Sequence, residues 1–342
     1  MICFAWKGFP QYAARCVGAF VRATKERVVV VATRPSVPIE GMEELSQCDV
    51  LWLEPNDGRP LKDVVGGMPR AIIASGWYVP AFLRFCKEVR DCGGMAIAMS
   101  DNNFNMSLRE LVKALRFRLF VSRKFDGYLV PGNSGVRLMR FYGADENRLS
   151  KGMYSADGSL FSQGKPLTER DRSIVYVGQF IERKNVRRLV KAFNRAIGVN
   201  KDGWRLKLYG CGPLKDELVA NAGSWVEIND FLQPEQLSAV YKSARVFCLP
   251  SFEEHWGLVV HEAALSGCLL LLSDRVGAAE DFLGEHNGFL FSPFDESDII
   301  SKLKCAISLS DEALVQAESE SLRLGRQISV NSFIEGVRGL IQ

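Results

Sequence analysis

Short apolar segments alternate with amphipathic segments along the chain, and this alternation restricts the fold more than any other feature. Apolar runs of strand length recur eleven times, at 2–6, 28–32, 50–53, 71–74, 95–99, 128–130, 173–177, 206–209, 226–228, 246–249 and 269–272. Helical patterns fill many of the gaps, at 11–23, 80–91, 185–196, 213–221, 234–243, 258–265 and 331–341. Strands that alternate with helices predict α/β domains with doubly wound parallel sheets.

The pattern runs through once and then restarts, which predicts two domains. A chain of 342 residues also exceeds one ordinary hydrophobic core. The stretch Gly164-Lys165-Pro166 resembles a linker. We therefore predict a first Rossmann-like domain over residues 1–163 and a second over residues 168–327. Whether the last helix, about 328–342, packs back on the first domain stays open at this stage.

The net charge of +3 conceals an asymmetry between the two halves. Residues 1–165 carry 23 basic and 16 acidic side chains, whereas residues 166–342 carry 20 and 24. The first half is thus the half that suits an anionic partner or surface. Nine scattered cysteines without a C-x-x-C spacing indicate neither a zinc ribbon nor a disulfide framework, and we expect reduced thiols.

The segment 107–124, SLRELVKALRFRLFVSRK, is basic and amphipathic. Six apolar residues recur at helical spacing (Leu108, Leu111, Val112, Leu115, Leu119 and Phe120). Six basic residues accompany a single acid, Glu110. Such a helix fits two interpretations, a core-packed helix with a solvated basic face or a surface that binds anionic lipid or a phosphorylated acceptor. No aromatic RNA-binding motif accompanies it, so no nucleic-acid partner is expected.

No run of about 20 apolar residues interrupts the sequence, and the first residues do not resemble a signal peptide. We expect a cytoplasmic protein, with residues 107–124 as the candidate for peripheral attachment to the inner face of the plasma membrane. The carboxyl ends of parallel strands face the ligand crevice in doubly wound sheets. In the first half, Gly8, Trp77, Asp101 and Asn133 follow such strand ends.

The stretch from Pro250 to Gly267, PSFEEHWGLVVHEAALSG, carries the strongest functional pattern. An apolar strand precedes a turn that contains Glu254, and Glu262 follows eight residues later on the next helix. Backbone N–H groups at a helix start suit phosphate, while carboxylates suit sugar hydroxyls. Together they suggest a sugar nucleotide, although two glutamates about a helix start also fit a capping arrangement with a solvated face.

A second candidate segment, VGQFIERKN at 177–185, lies between a strand and a helix. Gly178 allows the backbone to approach a ligand closely, and Arg183 and Lys184 can neutralise a diphosphate. The alternative is a pair of surface cations. The later turn Tyr209-Gly210-Cys211-Gly212-Pro213 fits tight strand-to-helix geometry better than ligand contact.

Taken together, these segments resemble family 4 glycosyltransferases, which are retaining enzymes of the GT-B type with two Rossmann-like domains facing each other across a cleft. The matching segments are VGQFIERKN, LYGCGPLKDEL, VEINDFLQPEQLSAVYKSARVFCLPS and EEHWGLVVHEAALSG, and the match continues to about residue 306. In the first half, SGW at 75–77, SDN at 100–102 and GMYSADGSLF at 152–161 resemble enzymes of bacterial surface-polysaccharide assembly.

This resemblance implies that the second domain binds a UDP- or GDP-linked sugar and that the first binds a lipid-linked or saccharide acceptor. It implies catalytic roles for Glu254, Lys184, Arg183 and Asp101. The donor-binding positions that it implies are Gly8, Gly178, Gln179, Asn229, Asp230, His255, Trp256, Gly257, Leu258, Val259 and Glu262. It implies no cofactor and no metal, because cations and helix dipoles stabilise the departing diphosphate.

Two positions depart from the family pattern. The family usually has an arginine directly after the first glycine, where this chain has Gln179, so Arg183 or Lys184 must carry more of the phosphate binding. Many members also place a histidine in the first domain, but the three histidines here are His255, His261 and His286. Asp101 is the candidate substitute.

Two other functions stay open. The neutral Gln179 allows a catalytically idle protein that only binds a sugar nucleotide. Tandem Rossmann-like domains also suit a dinucleotide-dependent oxidoreductase, which needs a G-x-G-x-x-G turn. Here Gly210 and Gly212 are followed by Lys215 where the third glycine belongs, which argues against that function.

Overall fold

The computed structural model describes residues 1–35, 41–54, 57–104, 108–198 and 202–342. The chain divides into two compact units. The first consists of Met1–Ser155 and Ile328–Gln342, and the second of Ala156–Gln327. Each unit contains one parallel sheet and the helices that connect its strands.

The first unit is built on a seven-stranded sheet. Its strands are β1 (Ile2–Trp6), β2 (Val28–Ala32), β3 (Asp49–Trp52), β4 (Ala71–Ser75), β5 (Met95–Met99), β6 (Gly127–Val130) and β7 (Leu149–Lys151). Their order in the sheet is β3-β2-β1-β4-β5-β6-β7. The helices of this part of the chain are α1 (Gln11–Ala23), α2 (Met42–Ser46), α3 (Leu61–Val65), α4 (Pro80–Asp91), α5 (Leu108–Arg116) and α6 (Asn133–Tyr142).

The second unit is built on a six-stranded sheet of order β10-β9-β8-β11-β12-β13. Its strands are β8 (Asp171–Val177), β9 (Arg205–Tyr209), β10 (Val226–Asn229), β11 (Ala244–Leu249), β12 (Leu269–Ser273) and β13 (Gly288–Phe291). Its helices are α7 (Val186–Ile197), α8 (Lys215–Ala220), α9 (Pro234–Ser243), α10 (Leu258–Leu265), α11 (Ala279–Phe282), α12 (Glu296–Ile307) and α13 (Asp311–Gly325).

The central strands are apolar along their whole length because both faces of each sheet are covered. Every residue of β1, β2 and β12 is buried, including the small residues Ala5 and Ala32. The α/β fold class predicted from the alternation is therefore confirmed, with parallel pairing throughout the registers of both sheets.

The first crossing between the units falls at Ser155 and Ala156 rather than near residue 163. Residues after it already pack on the second unit, since Leu160 O accepts from Ser238 Oγ at 2.7 Å and from Lys242 Nζ at 3.0 Å. A side chain at Gly164 would lie 2.7 Å from Lys242 O. The apparent linker is thus a packed segment, and Gly164 serves close approach rather than flexibility.

The last helix, α14 (Val330–Ile341), packs within the first unit. The ring of Phe333 stacks on Phe4 at 5.8 Å and meets Phe20 edge-on at 6.4 Å. Arg70 Nη1 donates to Ile341 O at 2.8 Å. The chain therefore returns to the first unit after completing the second. Among the described helices, none is both long and apolar enough to span a membrane.

Strand order reverses once in each sheet, and that reversal marks where a doubly wound sheet binds ligands. In the first sheet it lies between β1 and β4, and in the second between β8 and β11. The loops that leave the carboxyl ends of β8 and β11 are residues 178–185 and 250–257. These are the two segments singled out in the second half of the sequence.

Candidate functional site

The candidate site of the second unit forms where the loops after β8 and β11 meet. Lys184 Nζ donates to Glu254 Oε2 in a buried ion pair, and each side chain retains 11% of its exposure. The two residues are 70 positions apart in sequence. They meet because β8 and β11 are adjacent, parallel strands that end at the same edge of the sheet.

Arg183 contributes a second cation beside this pair. Its Nη1 lies 3.9 Å from Glu254 Oε2 and donates to Glu253 O at 2.6 Å. Its side chain remains 37% exposed, so its guanidinium can still meet a ligand from solvent. Two cations about one carboxylate leave a local charge of +1, which favours an anionic ligand.

The backbone of Glu254 is fixed by the neighbouring loop. Its N–H donates to Arg275 O at 3.2 Å, and its carbonyl accepts from Gly277 N–H at 3.1 Å, as part of an isolated parallel bridge to Val276. Ser251 Oγ donates to Glu254 Oε2 at 3.3 Å. These contacts hold the carboxylate in one position before any ligand arrives.

Asn185 joins three segments around the site, whereas the sequence predicted for it only the start of a helix. It adopts a left-handed backbone conformation (φ +57°), which asparagine tolerates better than most residues. Its buried amide donates to Pro250 O at 3.0 Å and to Pro293 O at 3.1 Å. Its place between a basic pair and a helix was the one feature of the sequence that could have pointed to Asn185. Nothing in the sequence indicated its bonds to Pro250 and Pro293.

Close backbone packing surrounds Gly178 and Gln179. A side chain at Gly210 would lie 1.9 Å from Gly178 O, and one at Gly212 would lie 2.5 Å from Phe180 O. The Gly210–Gly212 turn therefore serves strand-to-helix packing, as predicted. The carbonyl of Gln179 accepts from Tyr176 Oη at 2.8 Å, whereas its side chain is exposed. The structure thus leaves a neutral amide at the position of the usual arginine.

Helix α10 begins beside the ion pair. Gly257 precedes it with φ +92°, a conformation that favours glycine, and a side chain there would approach Glu254 Cγ to 3.1 Å. The first N–H groups of an α-helix have no acceptors within the helix, and its dipole places partial positive charge there. Gly257, Leu258 and Val259 therefore form a start that suits phosphate, next to Lys184.

Glu262 lies one turn into α10, and it is held by Tyr241, a residue for which no sequence pattern predicted a role. Tyr241 Oη donates to Glu262 Oε2 at 3.1 Å, and the ring of Tyr241 is fully buried. Burial raises the pKa of Glu262 to about 7, and the hydrogen bond from Tyr241 opposes that rise. Glu262 is therefore a partly buried carboxyl group that titrates near neutral pH.

Two of the predicted donor contacts in this stretch, Trp256 and His255, lie in different environments. The ring of Trp256 is 1% exposed and packs edge-on against Phe282 at 5.7 Å in the core. Only its main chain is available to the site. His255, by contrast, is exposed on the turn.

His261 is buried, and it is hydrogen-bonded near both ends of the second unit, at Ala156 and at Gly325. Its Nδ1 accepts from Ala156 N–H at 3.1 Å, and its Nε2 lies 2.8 Å from Gly325 O. Acceptance at Nδ1 requires the neutral tautomer that carries hydrogen on Nε2. This histidine therefore has a structural role.

Asn229 is the last residue of β10 and Asp230 follows it. This strand lies two strands away from β8 and hence about 10 Å from it. The Asn229 amide donates to Leu208 O at 3.4 Å. Asp230 forms an exposed ion pair with Lys215. Both residues lie at the same carboxyl edge of the sheet as Lys184 and Glu254, but on its outermost strand. That position suits a pocket for the base.

Gly8 and Asp101 belong to the first unit and lie at the carboxyl edge of its own sheet. Gly8 follows β1 with φ +61°, and its N–H donates to Thr33 Oγ1 at 2.9 Å. Asp101 follows β5, and burial together with the nearby Asp101 carboxylate raises the pKa of Tyr78. Lys7 Nζ lies 5.0 Å from the centre of the Tyr78 ring. A cation, a carboxylate and a mostly exposed aromatic ring thus gather near the reversal point of this sheet.

Within the described ranges, no group of three or more His, Cys, Asp or Glu side chains is placed to hold a metal ion. The chemistry that the second unit offers consists of two cations, a helix start and two carboxylates. Such a set can hold a diphosphate and accept hydrogen bonds from hydroxyl groups.

Comparisons with known proteins relate the second unit to glycosyltransferases. Residues 171–308 match the family model described as glycosyl transferases group 1, so the second unit carries a domain of that group. Sulfoquinovosyl transferase SQD2 of Arabidopsis thaliana is 38% identical over 105 residues, which cover 29% of this chain and 20% of the plant protein.

A Campylobacter jejuni enzyme is 27% identical over 146 residues, covering 42% of this chain and 40% of its own length. Its name is GalNAc-alpha-(1->4)-GalNAc-alpha-(1->3)-diNAcBac-PP-undecaprenol alpha-1,4-N-acetyl-D-galactosaminyltransferase. The matches span between a fifth and about half of the length of these and similar curated relatives.

Among solved structures, HepE of Anabaena in complex with UDP and glucose aligns over 98% of both chains with a TM-score of 0.75 and 13% identity. At that identity the likeness shows the fold, which is the GT-B type with two Rossmann-like domains.

Proposed function

We propose that this protein is a retaining glycosyltransferase of family 4 that transfers a sugar from a UDP- or GDP-linked donor to a lipid-linked or saccharide acceptor. The observation that carries the proposal is the Lys184–Glu254 pair at the strand-order reversal of the second sheet, beside the start of α10. The cation and the helix start suit the diphosphate of a nucleotide sugar, and the carboxylate suits a hydroxyl of its sugar.

The group 1 domain over residues 171–308 supports the reaction class. The fold neighbour from Anabaena holds UDP and glucose, which supports a nucleotide-sugar donor. The Campylobacter relative is named for an undecaprenol-linked acceptor, which supports a lipid-linked acceptor. A role in bacterial surface-polysaccharide biosynthesis is part of the proposal and rests on the resemblance of the segments in the first half.

In the proposed complex, Lys184, Arg183 and the N–H groups of Gly257, Leu258 and Val259 hold the diphosphate. An ammonium group carries three donors, so Lys184 can keep Glu254 and still donate to a phosphate oxygen. Glu254 accepts from a hydroxyl of the donor sugar, and Glu262 accepts from ribose hydroxyls. Asn229 and Asp230 line the base pocket.

The first unit supplies the acceptor site in this proposal, with Asp101 as its catalytic group at the carboxyl edge of its sheet. The bond between the sugar C1 and the diphosphate oxygen breaks, and a bond from C1 to the acceptor oxygen forms on the same face. The proton of the acceptor hydroxyl passes to the departing diphosphate. Lys184, Arg183 and the α10 dipole stabilise the charge on that leaving group, so the step needs neither a metal nor a cofactor.

Nucleotide-sugar binding and turnover test the proposal. A thermal-shift screen with UDP, GDP and their sugars should raise the melting temperature with one nucleotide family, since a ligand that binds the folded state stabilises it. Hydrolysis or transfer should then be measured with the sugars of that family. Lys184→Met should lower kcat by roughly 100-fold or more, because it removes a donor to the leaving phosphate.

The matched control is Lys304→Met, which removes an exposed lysine of α12 in the same unit. It should leave binding and turnover unchanged. Absence of binding and turnover across the whole panel would refute the proposal. Binding without any turnover on any acceptor would instead identify a catalytically idle sugar-nucleotide-binding protein.

A further inference from the structure

Helix α5 and the π-helical turn that continues it, Phe117–Val121, carry an apolar stripe on the outside of the first unit. Leu108 is 82% exposed, and the other members of the stripe are 53–69% exposed. They are Leu111, Val112, Leu115, Leu119 and Phe120. Among the described residues, twelve large hydrophobic side chains are exposed, and six of them lie in these 13 positions. Such clustering marks an interaction surface rather than scattered surface residues.

The opposite face of the segment attaches it to the core. Ala114 and Phe117 are buried, and Phe117 packs against Tyr128 and Tyr142 at 5.3 and 5.4 Å. The apolar periodicity of the sequence therefore describes the outer face, and the interpretation of these six residues as core contacts is wrong. Residue 107, which begins the segment as it was predicted, lies outside the described residues.

Charge on the outer surface is of one sign. Glu110, the single acid of residues 108–124, is turned inward, where it accepts from Tyr142 Oη at 2.6 Å and from Lys113 Nζ at 2.5 Å. The basic residues of the segment remain exposed on either side of the stripe or just after it. They are Arg109, Lys113, Arg116, Arg118, Arg123 and Lys124.

We propose that this stripe docks the first unit on an anionic lipid bilayer. An exposed apolar face flanked by cations provides the two attractions that hold an interfacial helix, burial of apolar side chains at the acyl boundary and attraction to anionic headgroups. The inward turn of Glu110 removes the one charge of the segment that such a surface would repel. A second protein copy is a poorer occupant because its own cations would oppose these.

Vesicle sedimentation tests the proposal with the full chain and without nucleotide sugar, so its result is independent of the donor chemistry. The wild-type protein should pellet with phosphatidylcholine vesicles that contain roughly 30% of the anionic lipid phosphatidylglycerol. It should pellet less with phosphatidylcholine alone and less at high salt. Failure to pellet with the anionic vesicles overturns the proposal.

Two variants separate the apolar and the electrostatic contributions. Leu111→Ser, Leu115→Ser and Leu119→Ser together should weaken vesicle binding by more than about tenfold, since each leucine loses its burial in lipid. Arg109→Gln, Arg116→Gln and Lys124→Gln together should weaken it on the order of 100-fold at low salt. Lys113 and Arg118 are left intact because they bond to Glu110 and to the carbonyls of Phe141 and Tyr142.

The matched control replaces Val219 and Val315 by serine, two residues of the second unit that are 56% and 57% exposed. This variant should bind vesicles as the wild type does. Unchanged pelleting of the leucine variant, or an equal loss in the control, overturns the proposal. A wild-type dimer that becomes monomeric in the leucine variant, without vesicle binding, would assign the stripe to a second copy and also overturn it.

Discussion

Tyr241 Oη donates a hydrogen bond to Glu262 Oε2 over 3.1 Å, and it thereby holds the carboxyl group of a residue whose pKa burial raises to about 7. The bond favours the ionised form of Glu262, whereas the surrounding protein disfavours it. The ionised carboxylate is therefore poorly solvated in the free protein, and hydrogen bonds from the hydroxyl groups of a ligand would stabilise it. The site therefore sacrifices stability of the free protein near neutral pH.

The first prediction concerns Glu262→Gln and the pH dependence of stability. The folded pKa of Glu262 is about 7 and its ordinary value is 4.5, so between these values the folded state binds a proton that the unfolded state has lost. Stability should therefore fall as pH rises through this window, by on the order of 2–3 kcal/mol for this group. The stability of Glu262→Gln relative to the wild type should therefore increase from about pH 5 to about pH 8, as measured by urea denaturation at both pH values.

Tyr241→Phe provides the companion measurement. It removes the bond that lowers the pKa of Glu262, so the midpoint of the pH-dependent loss should move upward. Equal pH profiles for the wild type and Glu262→Gln would contradict the assignment. Nucleotide affinity should fall in Glu262→Gln if the carboxylate accepts from ribose.

The second prediction concerns the buried pair of Lys184 and Glu254. Lys184→Met leaves a buried carboxylate without its closest cation, and Glu254→Leu leaves a buried ammonium. Each should destabilise the protein by roughly 3 kcal/mol. The double variant should cost less than the two single changes combined, by about 2 kcal/mol, because neither charge then remains.

Chemical denaturation of the four proteins at one pH gives this coupling energy. Lys191→Met is a suitable control, since Lys191 Nζ forms an ion pair at 2.9 Å with Glu296 and its side chain is 58% exposed. That change should cost less than about 1 kcal/mol. Additive losses at Lys184 and Glu254 would show that the pair is not coupled in solution.

The third prediction separates backbone strain from hydrogen bonding at Asn185. Both Asn185→Gly and Asn185→Ala remove the bonds to Pro250 O and Pro293 O. Only alanine must also be forced to φ +57°, which costs about 1 kcal/mol more than in glycine. Asn185→Ala should therefore be the less stable variant by thermal denaturation. Equal stability of the two variants would exclude a contribution from the left-handed conformation.

Local patterns predicted most of the fold because the central strands are apolar throughout. The bounds of β1, β2, β5 and α10 agree with those expected from the sequence. Strands β7 and β13 were not predicted, because most of their residues are partly buried or exposed and only part of each strand is apolar. Both strands lie at an edge of their sheet.

The site was predictable as two segments but not as a set of contacts. Position after a strand and before a helix pointed to Lys184 and Glu254 separately. Their pairing depends on the order of the strands in the sheet, which periodicity does not encode. Tyr241 had no signal at all, since a buried tyrosine in a helix resembles any core residue. The exposure of the apolar stripe of α5 could not be predicted for a related reason. Periodicity defines which residues share a face of a helix, but not whether that face contacts the core or solvent.

The fourth prediction concerns His261, whose ring joins Ala156 and Gly325 within the second unit. His261→Phe keeps a ring that can stack on Phe282, as the imidazole does at 4.5 Å, but it leaves a buried N–H and a buried carbonyl without this partner. We expect a loss of about 2–4 kcal/mol by urea denaturation and faster hydrogen exchange at the Ala156 amide. His261→Asn should lose less, because its amide oxygen can replace Nδ1 as the acceptor. The exposed His286 serves as the control, and His286→Gln should change neither measurement. Unchanged exchange at Ala156 in His261→Phe would show that the imidazole does not hold this segment.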